Sequence, residues 1–365
     1  MQLRFILNNG VRALLLGLVG AAVGCQHPGA TPAATSSAPG SFRASSPVSG
    51  EPALSDASAT TATSQGGVLV MAHGGDESWN RAVETVVAPL RDAYPIEIAF
   101  GMARTSTLRS AIGRLEDQGV KQIAVVRMFV SGESFLDETE YILGLRDALN
   151  DAGHHEHGQT MPEEQPAGPM PHHAGGDDSP SGSSHSMEPP TPIDCEAAFV
   201  LSGHGVARSE LIDDILVDRV RSLSLAPSSE CVLILAHGPG DDAENERWLA
   251  DMRRRTERLR EIGPFRDIRC ETLREDWPDR RAEAEERIRA YVQKHYEAGA
   301  RVIVVPFRVA NFGPYAEVLE GLEYVADGRG FCPHPNMTLW IDQTARDCLP
   351  TLPTASLDVR TVSAD

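Results

Sequence analysis

Aromatic residues make up only 5% of this 365-residue sequence, and basic residues are outnumbered, with 33 Lys and Arg against 52 Asp and Glu for a formal charge of −19. The shortage of positive charge argues against a nucleic-acid binder, because phosphate recognition needs a positive field. The leading apolar run, residues 13–23, is too short to cross a bilayer. No Cys-x-x-Cys pair occurs, which disfavours a zinc ribbon, an iron–sulfur site and a thioredoxin-like centre. A Gly-x-Ser-x-Gly elbow is missing, and neither a Gly-x-Gly-x-x-Gly nor a phosphate-binding Gly-x-x-x-x-Gly-Lys-Ser/Thr loop follows the opening strand. What is present is ordinary globular material, 41% hydrophobic and 23% charged, enough for two folded units.

Arg4 and Arg12 precede the short apolar run, as in a secretory signal, and the run ends Ala22-Val23-Gly24-Cys25. That ending resembles a bacterial lipobox, which implies lipidation at Cys25 and a protein exported to the cell envelope and anchored to its membrane. Residues 1–25 are therefore expected to be a signal peptide. Residues 26–65 are nearly all Ala, Ser, Thr, Pro and Gly and read as a flexible tether with a reach of about 35 Å. Five further cysteines, Cys195, Cys231, Cys270, Cys332 and Cys348, could pair outside the cytoplasm, with one left over.

The remainder repeats itself. Val68-Leu69-Val70-Met71-Ala72-His73-Gly74 is echoed by Val232-Leu233-Ile234-Leu235-Ala236-His237-Gly238, each a buried strand entering a glycine turn. Alternation with helical patterns predicts strands near 67–72, 96–100, 121–129 and 197–202 in the first half. In the second half they fall near 231–236, 266–272, 301–307 and 337–342. The fold class is α/β, with two duplicated domains (66–225 and 230–345, then a tail to 365), each a small parallel sheet flanked by helices. Ligands of such sheets bind beyond the carboxyl ends of the strands, where His73 and His237 fall.

Residues 153–192 interrupt the first domain with a Pro-, Gly- and Ser-rich stretch. It carries six of the twelve histidines: His154, His155, His157, His172, His173 and His185. Such a composition predicts disorder, and its imidazoles suit a loose buffer for divalent metals rather than a structural site.

A duplicated strand ending in Ala-His-Gly, together with a His-rich insertion, resembles the sirohydrochlorin cobaltochelatase family of the CbiX type, in its long, two-domain form. The resemblance spans roughly residues 66–345. It implies insertion of a divalent metal into a tetrapyrrole, a step of cobalamin biosynthesis, without an organic cofactor. Cobalt is favoured as the metal substrate, with Ni²⁺ and Fe²⁺ next. His73 and His237 match the family's first histidine, and imidazole can act as base or transient ligand near neutral pH. A second family histidine follows the third strand, where this chain has Ser134 in Phe129-Val130-Ser131-Gly132-Glu133-Ser134, and Tyr315 at the comparable point of the second half. Glu133 could supply a carboxylate ligand there, and His204, in Leu201-Ser202-Gly203-His204-Gly205, could supply the imidazole.

The expected site is therefore His73, His204 and His237 as catalytic groups, with Glu133 added to them as a metal ligand. Its partners are a tetrapyrrole, a divalent metal ion and, through the lipid anchor, a membrane. The rival is a non-catalytic metal- or tetrapyrrole-binding lipoprotein on the same fold, which export favours. His295 reads as packing or surface, His334 as part of a turn, and Arg253, Arg254, Arg255, Arg258 and Arg260 as a solvated helix face.

Overall fold

The computed structural model describes residues 65–149, 189–353 and 355. The signal, lipidation and tether expectations, and the six-histidine buffer, lie outside the described residues. In the first half the elements are β1 Gln65–Ala72, α1 Glu77–Val87, β2 Ile96–Phe100, α2 Thr105–Asp117, β3 Val120–Met128, α3 Leu136–Ile142, β4 Ala198–Leu201 and α4 Leu211–Leu223. The second half follows with β5 Glu230–Ala236, α5 Asp242–Arg255, β6 Asp267–Thr272, α6 Pro278–Glu297, β7 Arg301–Pro306, α7 Tyr315–Val318 and α8 Pro335–Cys348. No described helix is long and apolar enough to cross a membrane, and the five described cysteines are free thiols.

Both sheets are parallel. The first has the order β2-β1-β3-β4 and the second β6-β5-β7, so β1 and β5 are flanked on both sides. Val68 pairs with Ile96 on one side and Ala124 on the other, and Cys231 pairs with Asp267 and Val302. A strand buried on both faces must be apolar at every position, and Val68 through Ala72 are fully buried, as are Cys231 through Ala236. The helices after these two strands start alike: Asp76 caps α1 by accepting from the Trp79 amide at 2.8 Å, and Asp241 caps α5 by accepting from the Glu244 amide at 2.7 Å.

The apolar side chains form three layers. One lies outside the first sheet, where Leu69, Met71 and Val125 meet α2. A second lies outside the last sheet, where Leu233, Leu235 and Val304 meet α6. The third lies between the sheets and is shared: Val70, Val126 and Met128 belong to the same core as Ile234, Ile303 and Val305.

The halves exchange their last helices. α4 packs on β7 and on the 3-10 turn Glu257–Glu261 of the second half, while α8 returns to lie on β3 and α1 of the first. Buried polar contacts fix the exchange: the Thr338 hydroxyl donates to the Val86 carbonyl at 2.8 Å, and Arg219 reaches the carbonyls of Gly330 and Pro333 at 3.0 and 3.1 Å.

Two expectations need correction. Residues 337–342, expected as a fourth strand, lie inside α8. His334 caps that helix by accepting from the Asn336 amide, Pro335 fits its first turn, and buried Met337, Trp340, Ile341 and Ala345 recur at helical spacing. In place of a fourth strand is a single parallel bridge from Ile303 to Val325. Arg255 likewise leaves the solvated face: it is buried against Asp213 at 3.1 Å, while Arg253, Arg254 and Arg260 stay exposed.

Candidate functional site

Each half turns sharply at the carboxyl end of its central strand. Gly74 and Gly238 both take φ of +78°, and a Cβ on Gly238 would stand 2.6 Å from the Thr272 Cβ, so only glycine fits. This turn aims the preceding histidine. In both halves the Nδ1 of that histidine lies 2.7 Å from the next glycine's carbonyl oxygen. A carbonyl only accepts, so Nδ1 carries the hydrogen and Nε2 is the working end.

A cavity of about 670 Å³ opens between the halves, with His73 on one wall and His237 on another. This size falls in the usual ligand-pocket range of about 300–1,000 Å³. Much of its lining is apolar or aromatic, including Trp79, Met128, Phe129, Trp248 and Trp277. Trp79 lies 6.4 Å from the His73 ring and Trp277 meets the His237 ring edge-on at 6.2 Å. Carboxylates enter the lining at Glu138, Glu244, Glu275 and Asp276.

The four loops that frame the cavity are strained in the same way. The described non-glycine residues with left-handed backbone are Met102, Phe135, Arg274 and Asn311, one each after β2, β3, β6 and β7. Met102 and Phe135 line the cavity, and Arg274 immediately precedes Glu275 and Asp276. Strain of this kind gathers at functional sites. Contacts cross the rim between the halves: Glu133 accepts a bidentate pair from Arg247 at 2.6 and 3.0 Å, and the Asn311 amide donates to the Ser78 hydroxyl at 3.1 Å and to the Asp76 carboxylate at 3.4 Å.

The two histidines have opposite electrostatic settings. Water reaches the His73 ring, yet the cleft walls displace much of the bulk around it. That desolvation lowers its pKa despite the bond to Gly74, and the nearby His237 and Arg308 lower it further. At neutral pH His73 is therefore a neutral imidazole with a lone pair on Nε2. Desolvation also acts downward on His237, but Asp276 at 3.1 Å from Nε2 and Glu275 at 3.9 Å outweigh it, and the pKa is raised. With acceptors at both nitrogens, His237 favours the imidazolium. Glu275 is itself paired with Arg308, whose guanidinium lies over the Tyr315 ring at 5.7 Å.

The structure thus brings His73 and His237 to one cavity and leaves the other sequence candidates outside its lining. His204 is exposed at the end of β4, with Nδ1 3.4 Å from Arg208. Glu133 is occupied by Arg247 at the rim. Ser134 does line the cavity, and its carbonyl accepts from the buried Arg127 at 2.9 Å. Tyr315 is fully buried beneath Arg308. His295 packs against Tyr291, and His334 serves as the α8 cap. Sequence reasoning passed over Glu275, Asp276 and Arg308. The rule that selected His73 and His237, position just beyond a strand's carboxyl end, applies equally to the ends of β6 and β7.

No family model matches this chain, and no curated protein matches it. Among solved structures, SirB from Bacillus subtilis with Fe³⁺ aligns over 80% of this chain and 99% of its own, at 11% identity and a TM-score of 0.50. The sirohydrochlorin chelatase SirB from Bacillus subtilis subspecies spizizenii, in complex with cobalt, has the same coverage and identity with a TM-score of 0.46. The first of these likenesses establishes the fold: two small parallel sheets flanked by helices, arranged as in SirB.

Proposed function

We propose that this protein inserts a divalent metal, cobalt by preference, into a sirohydrochlorin-like tetrapyrrole in the cavity between its halves. The observation that carries the reading is the pair of strand-end imidazoles at one large, mostly apolar cleft, the pKa of His73 lowered by desolvation and that of His237 raised by its carboxylate neighbours. A fold shared with SirB, which has been crystallised with Fe³⁺, supports it.

Insertion must remove two pyrrole N–H protons and bring a partly dehydrated cation to the ring face. The flat macrocycle packs between the aromatic walls. His73 Nε2 takes one proton, or lends its lone pair to the arriving metal, and the second proton leaves to water at the open mouth. Glu138 and Glu244 lend the cavity negative charge that draws the cation inward, while Glu275 and Asp276 face Arg308 and His237. His237 pairs through Nε2 with Asp276, and whenever it carries both protons it has no lone pair to offer a metal, so His73 is the ligating imidazole.

A second reading is favoured by one observation. With Ser134 where the family has a histidine, Glu133 paired to Arg247 and His204 outside the cavity, the first half supplies one imidazole. On this reading the protein carries a metal or tetrapyrrole without joining them. Anaerobic incubation of the protein with sirohydrochlorin and Co²⁺, followed by absorption, separates the two. Insertion faster than without protein, and lost in His73→Ala, supports the chelatase; a bound-ring spectrum with no added insertion supports the carrier.

We further propose export and a lipid anchor at Cys25, a reading supported by the basic start, the short apolar run and the small residues before that cysteine. Labelled fatty acid incorporated by the wild type and not by Cys25→Ser would bear it out; equal labelling would sink it.

A further inference from the structure

A second hollow, of about 470 Å³, lies on the flank of the second half, at the start of β6 and along α6. Its lining holds Arg266, Arg269, Arg287 and Lys294 against a single carboxylate, Asp267. Four cations around one concavity are unexpected in a chain with a formal charge of −19. We propose that this hollow is an anion site for a phosphate-class oxyanion, independent of the reaction in the large cavity.

The arginines are held from behind and keep donors to spare. Arg266 gives Nε and one terminal nitrogen to the carbonyls of Ser228 and Ala298, at 3.3 and 3.1 Å, so no carboxylate neutralises it. Arg269 gives Nε to the buried Glu271 at 2.7 Å and lies over the Tyr291 ring at 5.3 Å. Arg287 approaches the other oxygen of Glu271 at 3.7 Å. A guanidinium has five N–H donors in a rigid fork, so each arginine has hydrogens left for a ligand; Arg266 is oriented by the two carbonyls and Arg269 by Glu271, which takes its Nε and one terminal nitrogen. Lys294 forms no ion pair among the described residues and adds a mobile point charge.

The geometry selects the ligand's charge and shape. A carboxylate offers one negative charge and two oxygens, which one fork satisfies. Free phosphate or a phosphate monoester offers up to two charges and at least three terminal oxygens at neutral pH, which suits several guanidinium forks and an ammonium. Such a group could arrive as free phosphate or as the phosphomonoester headgroup of phosphatidic acid. All four cations are exposed, so replacing them should leave the fold intact.

The test uses the full chain at low ionic strength, with a Arg266→Gln, Lys294→Gln double variant and an Arg81→Gln, Arg208→Gln control of equal charge. Calorimetric titration with inorganic phosphate reports the free anion. Co-sedimentation with phosphatidic acid–phosphatidylcholine vesicles, compared with phosphatidylcholine alone, reports the headgroup. The expected result is saturable binding in at least one arm, weakened tenfold or more by the double variant and less than twofold by the control. Binding in the first arm alone assigns a soluble phosphate, and binding in the second alone assigns the membrane surface. No binding in either arm, or equal weakening by variant and control, overturns the proposal.

Discussion

The two halves share a frame and differ in what surrounds its histidine. Both run a fully buried strand into Ala-His-Gly, turn at a glycine with φ of +78°, and bond the histidine's Nδ1 to that glycine's carbonyl. The difference lies at the neighbouring strand end. Counted from the paired strand ends Phe100 and Thr272, the first half places Ala103 and Arg104 where the second places Glu275 and Asp276. Duplication thus preserved the backbone that aims an imidazole, while Glu275 and Asp276 on the adjacent loop push the pKa of His237 up, opposite to the downward shift at His73. The lesson is that a repeated motif specifies geometry, and the protonation state is written elsewhere.

The comparison can be broken most directly at His73. His73→Ala is expected to lower metal insertion by about 10²-fold or more, the usual scale for removing a positioned base, with His237→Ala having a smaller effect on the same spectral assay. Equal losses would erase the proposed division of labour.

Packing gives the next effect. Ile341 is fully buried in the core the halves share, so Ile341→Ala should cost about 2–5 kcal/mol in denaturant unfolding. Because that core is common, both halves should unfold in one transition. Two separated transitions would show that the halves are independent.

Asp276→Asn sharpens the electrostatic contrast. Asp276 helps raise the pKa of His237, so the variant should titrate at lower pH, as followed by the imidazole's NMR shifts. A raised folded-state pKa contributes stability that is fully present below the ordinary value of 6.5 and fades as pH climbs through the raised value. Asp276→Asn should therefore lose more stability at pH 6 than at pH 9. His73, whose pKa is lowered, has the opposite slope: its setting opposes folding more as pH falls through 6.5 toward the lowered value.

The smallest effect is expected at the rim. Glu133 and Arg247 are both about half exposed, so Glu133→Gln should change stability by less than about 1 kcal/mol and leave both histidine titrations unchanged.

Much of this was legible before any coordinates. Val68-Leu69-Val70 and Val232-Leu233-Ile234 read as strands because a parallel strand covered on both faces must be apolar throughout, and the histidines after them fell at the cavity by the strand-end rule. Residues 337–342 misled because a short stretch with Met337, Leu339, Trp340 and Ile341 among its six residues suits a buried strand or a buried helix face, and Pro335 two residues earlier was the better guide. Asp276 lies far along the chain from His237, and its role depends on β6 pairing beside β5, which local pattern does not encode. Arg247 was likewise invisible as the partner that occupies Glu133, since the pair joins opposite halves.

The exchanged helices also set a schedule. Part of the first sheet's cover is α8, which starts at Pro335, long after β4 ends at Leu201, so all four strands are synthesised well before the helix that closes over them. At a synthesis rate of about 5–20 residues per second, β1 through β4 wait on the order of 10 s for that helix, with Val126 and Met128 still open to other chains. Closure of the first sheet therefore waits on the synthesis of the second half, and the exchange of helices ties the folding of one half to the other.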